Sequence, residues 1–550
     1  MPATQPWHRN AIIYALDIET FLDSNGDGVG DIAGLTNRLD YLSGLGVTCL
    51  WLLPFFATPN RDDGYDVADY YSIDPRLGTL GDFVVFLREA RQRGLHVIIE
   101  LVVNHTSRDH PWFQAARRDP DGPYRDFYIW MDEPPNPERR GGLVFPGEQT
   151  SNWEYDEVAG AYYWHWFYDH QPDLNTGNPA VRDEIKRIMG FWLELGVSGF
   201  RVDAAPFLFK RKGIAGSYPE EPDAFLGELC DFIGTRRADA VFLAEADVSV
   251  EELSFFLGSG ERMHLLFNFI LNNYFFLALA RQSAEPIHDA LELLPECPGR
   301  AQYANFVRNH DELNLDRLPP ADRQFVFDAF APDPGMRIYD RGIRRRLPPM
   351  LRGDQRWVEL VYSLLFSLPG TPVIRYGDEL GMGDDLSLPG RLSVRTPMQW
   401  SDTPNGGFSS APPGRLVRPQ VTGEYGPDRI NVDAQRRNPT SLLNFMLRLI
   451  RTRKECPELG GGTLSLIETG DPAVLAHRCD RRDGAVLAIH NLSPKERTVR
   501  IALPEPPGAP FVDLLGDRDY EPLGAGSEAE VRLAGHGYRW LRSDPMLRYL

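Results

Sequence analysis

Cysteine is scarce and scattered: five residues in 550 (Cys49, Cys230, Cys297, Cys456 and Cys479), with no CxxC pair among them. That excludes a disulfide-stapled scaffold and fits a reducing compartment, with Cys49 and Cys230 as buried thiols and no disulfide at all. Positive charge is also short. Lys and Arg number 58 against 78 Asp and Glu, a net charge of −20 with a pI near 5.1. Nucleic acid and anionic membrane surfaces repel such a chain, whereas a neutral small molecule does not. Long apolar runs are missing as well. The most apolar helix candidate, around Leu265 to Ala280, is interrupted by Asn268, Asn272 and Asn273, and is too polar and too short to span a bilayer. The opening MPATQPWHRN has no apolar signal core. A cytoplasmic protein without a membrane partner is expected. There are no repeats and no low-complexity tracts.

What is present is a long, ordinarily composed globular chain, 42% hydrophobic and 25% charged, with room for two or three domains. Eight apolar, β-rich runs recur, starting at Ala11, Thr48, His96, Gly196, Ala240, Met263, Tyr303 and Thr371. Near-continuous apolar runs are expected of strands covered on both faces. Helix-like segments lie between them: one from Asp31 with Ile32, Leu35, Leu39 and Leu42 in phase, one opening at Asn178-Pro179, one over Val358 to Phe366. Strand and helix alternating in this way predict a parallel α/β architecture.

The alternation is broken three times. Thr106 to Asn175, rich in Pro, Asp and aromatics, reads as an inserted domain, and 313–352 and 383–438 read as insertions after strands seven and eight. Long loops in a compact domain are usually functional, often lids. From about Leu459 short alternating runs predict a C-terminal antiparallel β domain. The expected division is 1–105 and 178–458 for the two parts of the main domain, 106–177 for the insert and 459–550 for the β domain.

Three acids end three of the strand runs: Asp203 in GFRVDAAPF, Glu245 in VFLAEAD and Asp311 in FVRNHDE. Strand ends converge when parallel strands close into a barrel, and converging carboxylates are the equipment for cleaving a glycosidic bond. Arg201 lies two residues before Asp203, on the same face, and a guanidinium there favours an ionised carboxylate suited to nucleophilic attack. Glu245 follows Phe242, Leu243 and Ala244, an apolar setting that raises a carboxyl pKa and suits an acid/base.

A further pattern concerns metal. Asp23, Asn25, Asp27 and Asp31 form D-x-N-x-D-G-x-x-D, with Gly28 at the turn. Oxygen donors on alternate residues, completed by the Val29 carbonyl, suit a structural calcium ion. The plain alternative is a hydrogen-bonded Asx turn, since Gly34 stands where an EF-hand would have Glu.

ELVVNH, GFRVDAAPF, AEAD and RNHDE resemble the ordered signature regions of the glycoside hydrolase 13, or α-amylase, superfamily, and QPDLN is similar to a fifth. DSNGDGVGD, RDDGYDVADYY, NHTSRDHPWF, YYWHWFYDHQPDLN, GIRRRLPPML, LLFSLPGTPVI and VRTPMQW extend the likeness over nearly the whole chain, towards the trehalose synthase branch. The resemblance implies a (β/α)8 TIM barrel with an inserted B domain and a C-terminal antiparallel β-sandwich domain. It also implies Asp203 as nucleophile, Glu245 as acid/base, Asp311 as transition-state stabiliser, and a glucose subsite of Asp62, Tyr65, His105, Arg201, His310 and Arg395. Tyr65 would stack on the sugar and both histidines would bond its hydroxyls.

The same resemblance implies a second calcium partly held by Asn104 and Asp173, but Lys210 stands where the family has Glu. An ammonium brings charge without donor oxygens, so Lys210 is expected to replace that ion and pair with Asp173 or a neighbouring acid, or else to point into solvent. Other departures are Thr176-Gly177, Ala246-Asp247-Val248, Arg375 and Ile18-Glu19-Thr20, all assigned to the leaving-group side. The expected activity is isomerisation of maltose and trehalose, with α-glucosidase or transglucosidase action as the alternative and a non-catalytic scaffold as a remote one. No organic cofactor is expected, the partner is a small sugar, and a homo-oligomer is left open. Residues 313–352 and the loop Asn405 to Gly407 are candidate lids.

Overall fold

The computed structural model describes residues 6–133, 142–214, 216–481, 484–503, 511–523 and 527–543; the signal-core reading of residues 1–5 lies outside these. All eight expected runs are strands of one closed parallel barrel: β1 (Ile13–Leu16), β2 (Cys49–Leu52), β3 (His96–Leu101), β4 (Gly199–Val202), β5 (Val241–Ala244), β6 (Leu265–Phe267), β7 (Gln302–Phe306) and β8 (Thr371–Arg375). Each pairs with its sequence neighbours, and β8 closes on β1 with Ile13 opposite Val373.

Alternation along each strand sorts the side chains. One set, including Ile13, Trp51, Ile98, Leu243, Phe267, Phe306 and Val373, forms one buried cluster. The other, including Tyr14, Leu50, Val97, Phe200, Phe242 and Leu266, packs in the larger core with the surrounding helices. On β3 and β4 the first set continues into charge: Glu100 lies two residues beyond Ile98, and the register puts it beside Arg201. Gly199 lets β4 lie close against β5 on its other side. Its φ is +147°, and a Cβ there would lie 2.1 Å from the Val241 carbonyl oxygen.

Helix α1 (Pro179–Leu195) starts as expected, the Asn178 side chain accepting from Ala180 N–H. Helix α2 (Gln355–Ser367) contains the expected Val358–Phe366 run. The helix expected from Asp31 is two, Ile32–Asn37 and Leu39–Leu45, broken at Arg38, whose ψ of 6° is not helical. Between β3 and α1 lies a three-stranded antiparallel sheet (Trp130–Met131, Trp153–Asp156, Ala161–Trp164). After β7, Leu313–Asn314, Arg337–Ile338 and Gly342–Ile343 form another.

From Thr463 the chain forms a five-stranded antiparallel sheet, faced by a two-stranded ribbon of Arg497–Ala502 and Glu528–Leu533. Val474, Leu487, Ile489 and Leu541 pack between them against Val499, Ile501 and Val531. The sheet's other side sits on α2, where Trp540 donates to Ser363 Oγ and His477 to the Ser367 carbonyl. All five cysteines are free thiols, Cys49 and Cys230 buried. Among the described residues no helix is long and apolar enough to cross a membrane.

Candidate active site

At the carboxyl ends of the strands lies a cavity of about 460 Å³, lined by Asp203, Glu245 and Asp311 together with Asp62, Tyr65 and His105. Such a volume suits a small ligand. Arg201, His310 and Arg395, the other residues expected at the sugar, stand buried behind this wall.

One guanidinium organises the floor. Arg201 donates from Nη1 to Asp203 Oδ1 (2.5 Å) and Glu100 Oε2 (2.8 Å), and from Nη2 contacts Glu245 Oε2 (2.8 Å). Asp203 and Glu245 therefore lie on the same side of the barrel, within the span of a single arginine head. The Ala204 N–H also donates to Glu245 Oε2 (3.0 Å). To do so Ala204 takes a left-handed conformation, φ 46°, a backbone strain of the kind found at functional sites.

One positive charge cannot neutralise three buried carboxylates. Burial pushes Glu100 up to about 8 and Glu245 up to about 7, although Arg201 pulls both down. Asp203 is also raised by burial, against its 2.5 Å bond to Arg201. Near neutral pH Glu245 thus holds a proton that it can give up, as the apolar run before it suggested.

Asp311 is set differently. Arg391 Nη1 (2.8 Å) and Arg395 Nη2 (2.7 Å) both donate to its Oδ1. Burial works against ionisation, but the His310 ring and these guanidinium groups hold the carboxyl well below the usual carboxylate range. Arg391 reaches Asp62 as well (3.1 Å), and Gln171 of QPDLN donates to the other Asp62 oxygen (2.9 Å). Burial nevertheless lifts Asp62 to about 6. Tyr65 shares a 2.6 Å hydrogen bond with His310 Nε2 and donates to Glu100 Oε1 (3.2 Å), its ring parallel to the imidazole. His105 donates from Nε2 to the Tyr65 carbonyl (3.1 Å), and burial lowers it to about 4, a neutral ring.

The ammonium beside Asp173 belongs to Lys212, not Lys210. Lys212 Nζ lies 3.0 Å from Asp173 Oδ2 and donates to Asn104 Oδ1 (2.8 Å), the Asn104 carbonyl (3.2 Å) and the Leu174 carbonyl (2.9 Å). Lys210 instead lines the cavity, exposed, its Nζ 5.0 Å from the centre of the Phe207 ring. The chain after Phe209 is irregular, and Lys212 turns inward where its N–H donates to Ser217 Oγ; no strand or helix period predicts that turn.

The Asp23–Asp31 loop is a run of side-chain-to-backbone bonds. Asp23 accepts from the N–H groups of Asn25, Gly26 and Gly28 and from Ser409 Oγ; Asn25 accepts from Asp27 N–H and Asp27 from Val29 N–H. Asp31 accepts from Ser24 and Gly34 N–H. Among the described residues no three His, Cys, Asp or Glu side chains converge to hold a metal.

Besides Lys210, only Asp247 of the departures from the family pattern reaches the cavity wall. It is held by Arg317 Nε (2.6 Å) and Asn314 Nδ2 (2.7 Å), both also on the wall. Arg375 is buried under the floor, bonded to the Asn309 carbonyl (3.3 Å); Glu19 pairs with Arg418 and Arg76; Thr176 bonds the Leu208 carbonyl. The insertion 313–352 does border the cavity, through Asn314, Asp316, Arg317 and Arg341. The Asn405–Gly407 loop does not. It lines a separate hollow with Gln420 and Val421, so it is no lid to this site; the loop is folded back on the preceding turn, where Trp400 and Ser401 N–H both donate to the Gly406 carbonyl.

Arg391 and Phe145, which also line the cavity, escaped the sequence-based reading. The only signal for Arg391 was a second arginine four residues before Arg395.

Residues 15–314 and 345–462 match the family model described as "Alpha amylase, catalytic domain", and 484–542 one described as "Sucrose hydrolase-like, C-terminal domain". The first match skips 315–344, inside the insertion after β7. A trehalose synthase of Pimelobacter sp. is 42% identical over 98% of this chain and 96% of its own length. A "Trehalose synthase/amylase TreS" of Mycolicibacterium smegmatis is 41% identical over 98% and 93%. Among solved structures, the trehalulose synthase MutB of Pseudomonas mesoacidophila superposes with a TM-score of 0.78 at 26% identity, covering 98% of this chain and all of that one.

Proposed function

The chain belongs to the α-amylase family, glycoside hydrolase 13, and from that premise we propose that it is a retaining enzyme of the trehalose synthase type, interconverting maltose and trehalose. The observation that carries the mechanism is the single Arg201 guanidinium tying Asp203 and Glu245 to one cavity floor. Asp203 attacks the anomeric carbon of the bound glucosyl unit. The C1–oxygen bond breaks as Glu245 protonates the departing glucose, leaving a β-glucosyl ester on Asp203. The freed glucose then attacks C1 through its own anomeric hydroxyl, Glu245 takes that proton, and Asp203 leaves. Asp311, doubly braced by Arg391 and Arg395, stays anionic opposite the developing oxocarbenium charge. Asp62, Tyr65 and His105 hold the glucose, with His310 bracing Tyr65, Arg201 bracing Asp203 and Glu245, and Arg395 bracing Asp311.

Hydrolysis or transfer from small α-glucosides is the second reading, favoured by Asp247 in the wall two residues past the acid/base. Incubation with maltose, trehalose, sucrose and isomaltose separates the two. Trehalose from maltose with little free glucose is expected, and glucose alone would overturn the isomerase reading.

Calcium in the Asp23–Asp31 loop is part of the same proposal. The donors are hard oxygens from Asp23, Asn25, Asp27, Asp31 and the Val29 carbonyl, and among the described residues the bonds to the three carboxylates come from N–H and O–H groups, none from Lys or Arg. The ion would stiffen the loop and take no part in the chemistry. A chelator that left melting temperature and bound-metal count unchanged would refute it. With a neutral sugar as partner and only free thiols, the cytoplasm is the proposed location.

A further inference from the structure

The cavity is roofed where two distant segments meet. Phe145, on its wall, lies between two tyrosines. Its ring stacks on Tyr168 at 4.7 Å and meets Tyr339 at 4.8 Å, and the two tyrosine hydroxyls are 3.3 Å apart. Beside them Arg341 Nη2 donates to the Val144 carbonyl (2.7 Å). Phe145 and Tyr168 precede α1; Tyr339 and Arg341 belong to the hairpin joining Arg337–Ile338 to Gly342–Ile343. That hairpin falls in the stretch that the catalytic-domain model does not match. Its tip is also strained, since Tyr339 and Asp340 both take left-handed backbone, φ 56° and 57°, without being glycine. In that conformation the Tyr339 side chain is held against Phe145.

What it holds is coupled to the glucose pocket. The Arg391 guanidinium lies over the other part of Phe145, 5.2 Å from the ring centre, while bonding Asp62 and Asp311. Tyr339 itself is buried and absent from the wall. It acts through Phe145, so it is a positioning residue.

We propose that Tyr339, by pinning Phe145 between itself and Tyr168, is the residue that keeps released glucose in the cavity and water out, and so sets the partition between isomerisation and hydrolysis; this rests on the isomerase reading above. In both outcomes the bond from C1 to Asp203 breaks and Glu245 takes a proton from the incoming hydroxyl. Only the identity of that hydroxyl differs, and a roof that opens early favours water.

Product analysis with maltose tests this in the full chain, beside p-nitrophenyl α-glucoside, whose phenol leaves without needing the roof. Tyr339→Ala is expected to raise the ratio of glucose released to trehalose formed about tenfold, with release of nitrophenol changed less than about twofold. Tyr339→Phe, which keeps the ring, is expected to stay within about twofold of the unmodified ratio. Tyr168→Leu loosens Phe145 from the other side, should give the same rise, and serves if Tyr339→Ala does not fold. An unchanged ratio in a folded Tyr339→Ala or Tyr168→Leu protein overturns the proposal. If the unmodified enzyme makes no trehalose, the isomerase reading fails on its own. The roof is then judged by the partition of the glucosyl-enzyme between added glucose and water, where the same shift towards water supports it and no shift overturns it.

Discussion

The glucose-holding side of the cavity and its acceptor side are built differently. On the proposed glucose side each carboxylate is braced by a guanidinium within about hydrogen-bond length: Arg201 on Asp203 and Glu245, Arg391 and Arg395 on Asp311, and Arg391, with the Gln171 amide, on Asp62. Arg201, Asp203 and Glu245 stand on barrel strands or directly at their ends, while Arg391 and Arg395 reach in from the segment after β8 and Gln171 from the insert. On the other side the ties come from the insertion after β7, and Arg341, though it donates to the Val144 carbonyl at 2.7 Å, is far from its carboxylates, 3.8 Å from Glu312 and 3.6 Å from Asp316. Short, multiply held groups lose little freedom when substrate arrives and can be preorganised for the transition state. Loosely held groups on a loop can change partner. On the proposed reading, mechanism is lodged in the closely braced half and choice of acceptor in the adaptable half, a division by which one fold can serve many reactions.

The contrast can be broken by unequal mutations. Asp203→Asn should cost about 10⁴-fold in turnover on any α-glucoside, as removal of an essential nucleophile does in other enzymes; wild-type-like rates would end the assignment. Next comes Lys212→Met, which leaves Asp173 buried without its cation and should cost about 3–5 kcal/mol of stability. Lys210→Met, on an exposed side chain, should stay within about 0.5 kcal/mol. Denaturant unfolding of the pair distinguishes the buried lysine from the one in the cavity.

Smaller in size is the pH response. Glu245, raised to about 7 by burial, must be protonated for the first step. kcat/KM should therefore fall as pH rises through about 7, by about tenfold per unit beyond it. A flat profile to pH 9 would remove Glu245 as the acid. The smallest effect is expected from Asp247→Asn, which weakens the tie to Arg317. It should change KM for maltose and the acceptor preference by about two- to tenfold while leaving that alkaline limb in place. If it moved the limb instead, the separation of the two halves would be wrong.

The barrel was legible because its strands are covered on both faces, so each is a near-continuous apolar run, and because the acids that end them interrupt that run visibly. Asp203 and Glu245 could be read together since each lies at a strand end. Arg391 could not, being 329 residues from Asp62 and 80 from Asp311 in a loop with no period. The lysine beside Asp173 was misplaced by two positions for a like reason: between Phe209 and Lys212 no regular element says which side chain turns inward. The Asn405–Gly407 loop misled because membership of a long insertion does not say which cavity a loop borders. Tyr339 gave no signal at all, since a tyrosine at a hairpin tip is meaningful only once its backbone angle and its neighbour Phe145 are known.

Lys212 has one more implication. A positive charge encoded in the polypeptide arrives with synthesis at a ratio of one per molecule, whatever the supply of divalent ions around it. The junction of Asn104, Asp173 and Leu174 that it ties together therefore needs no loading step and cannot be stripped by dilution, leaving any dependence on ambient metal to the Asp23–Asp31 loop between β1 and the helix Ile32–Asn37.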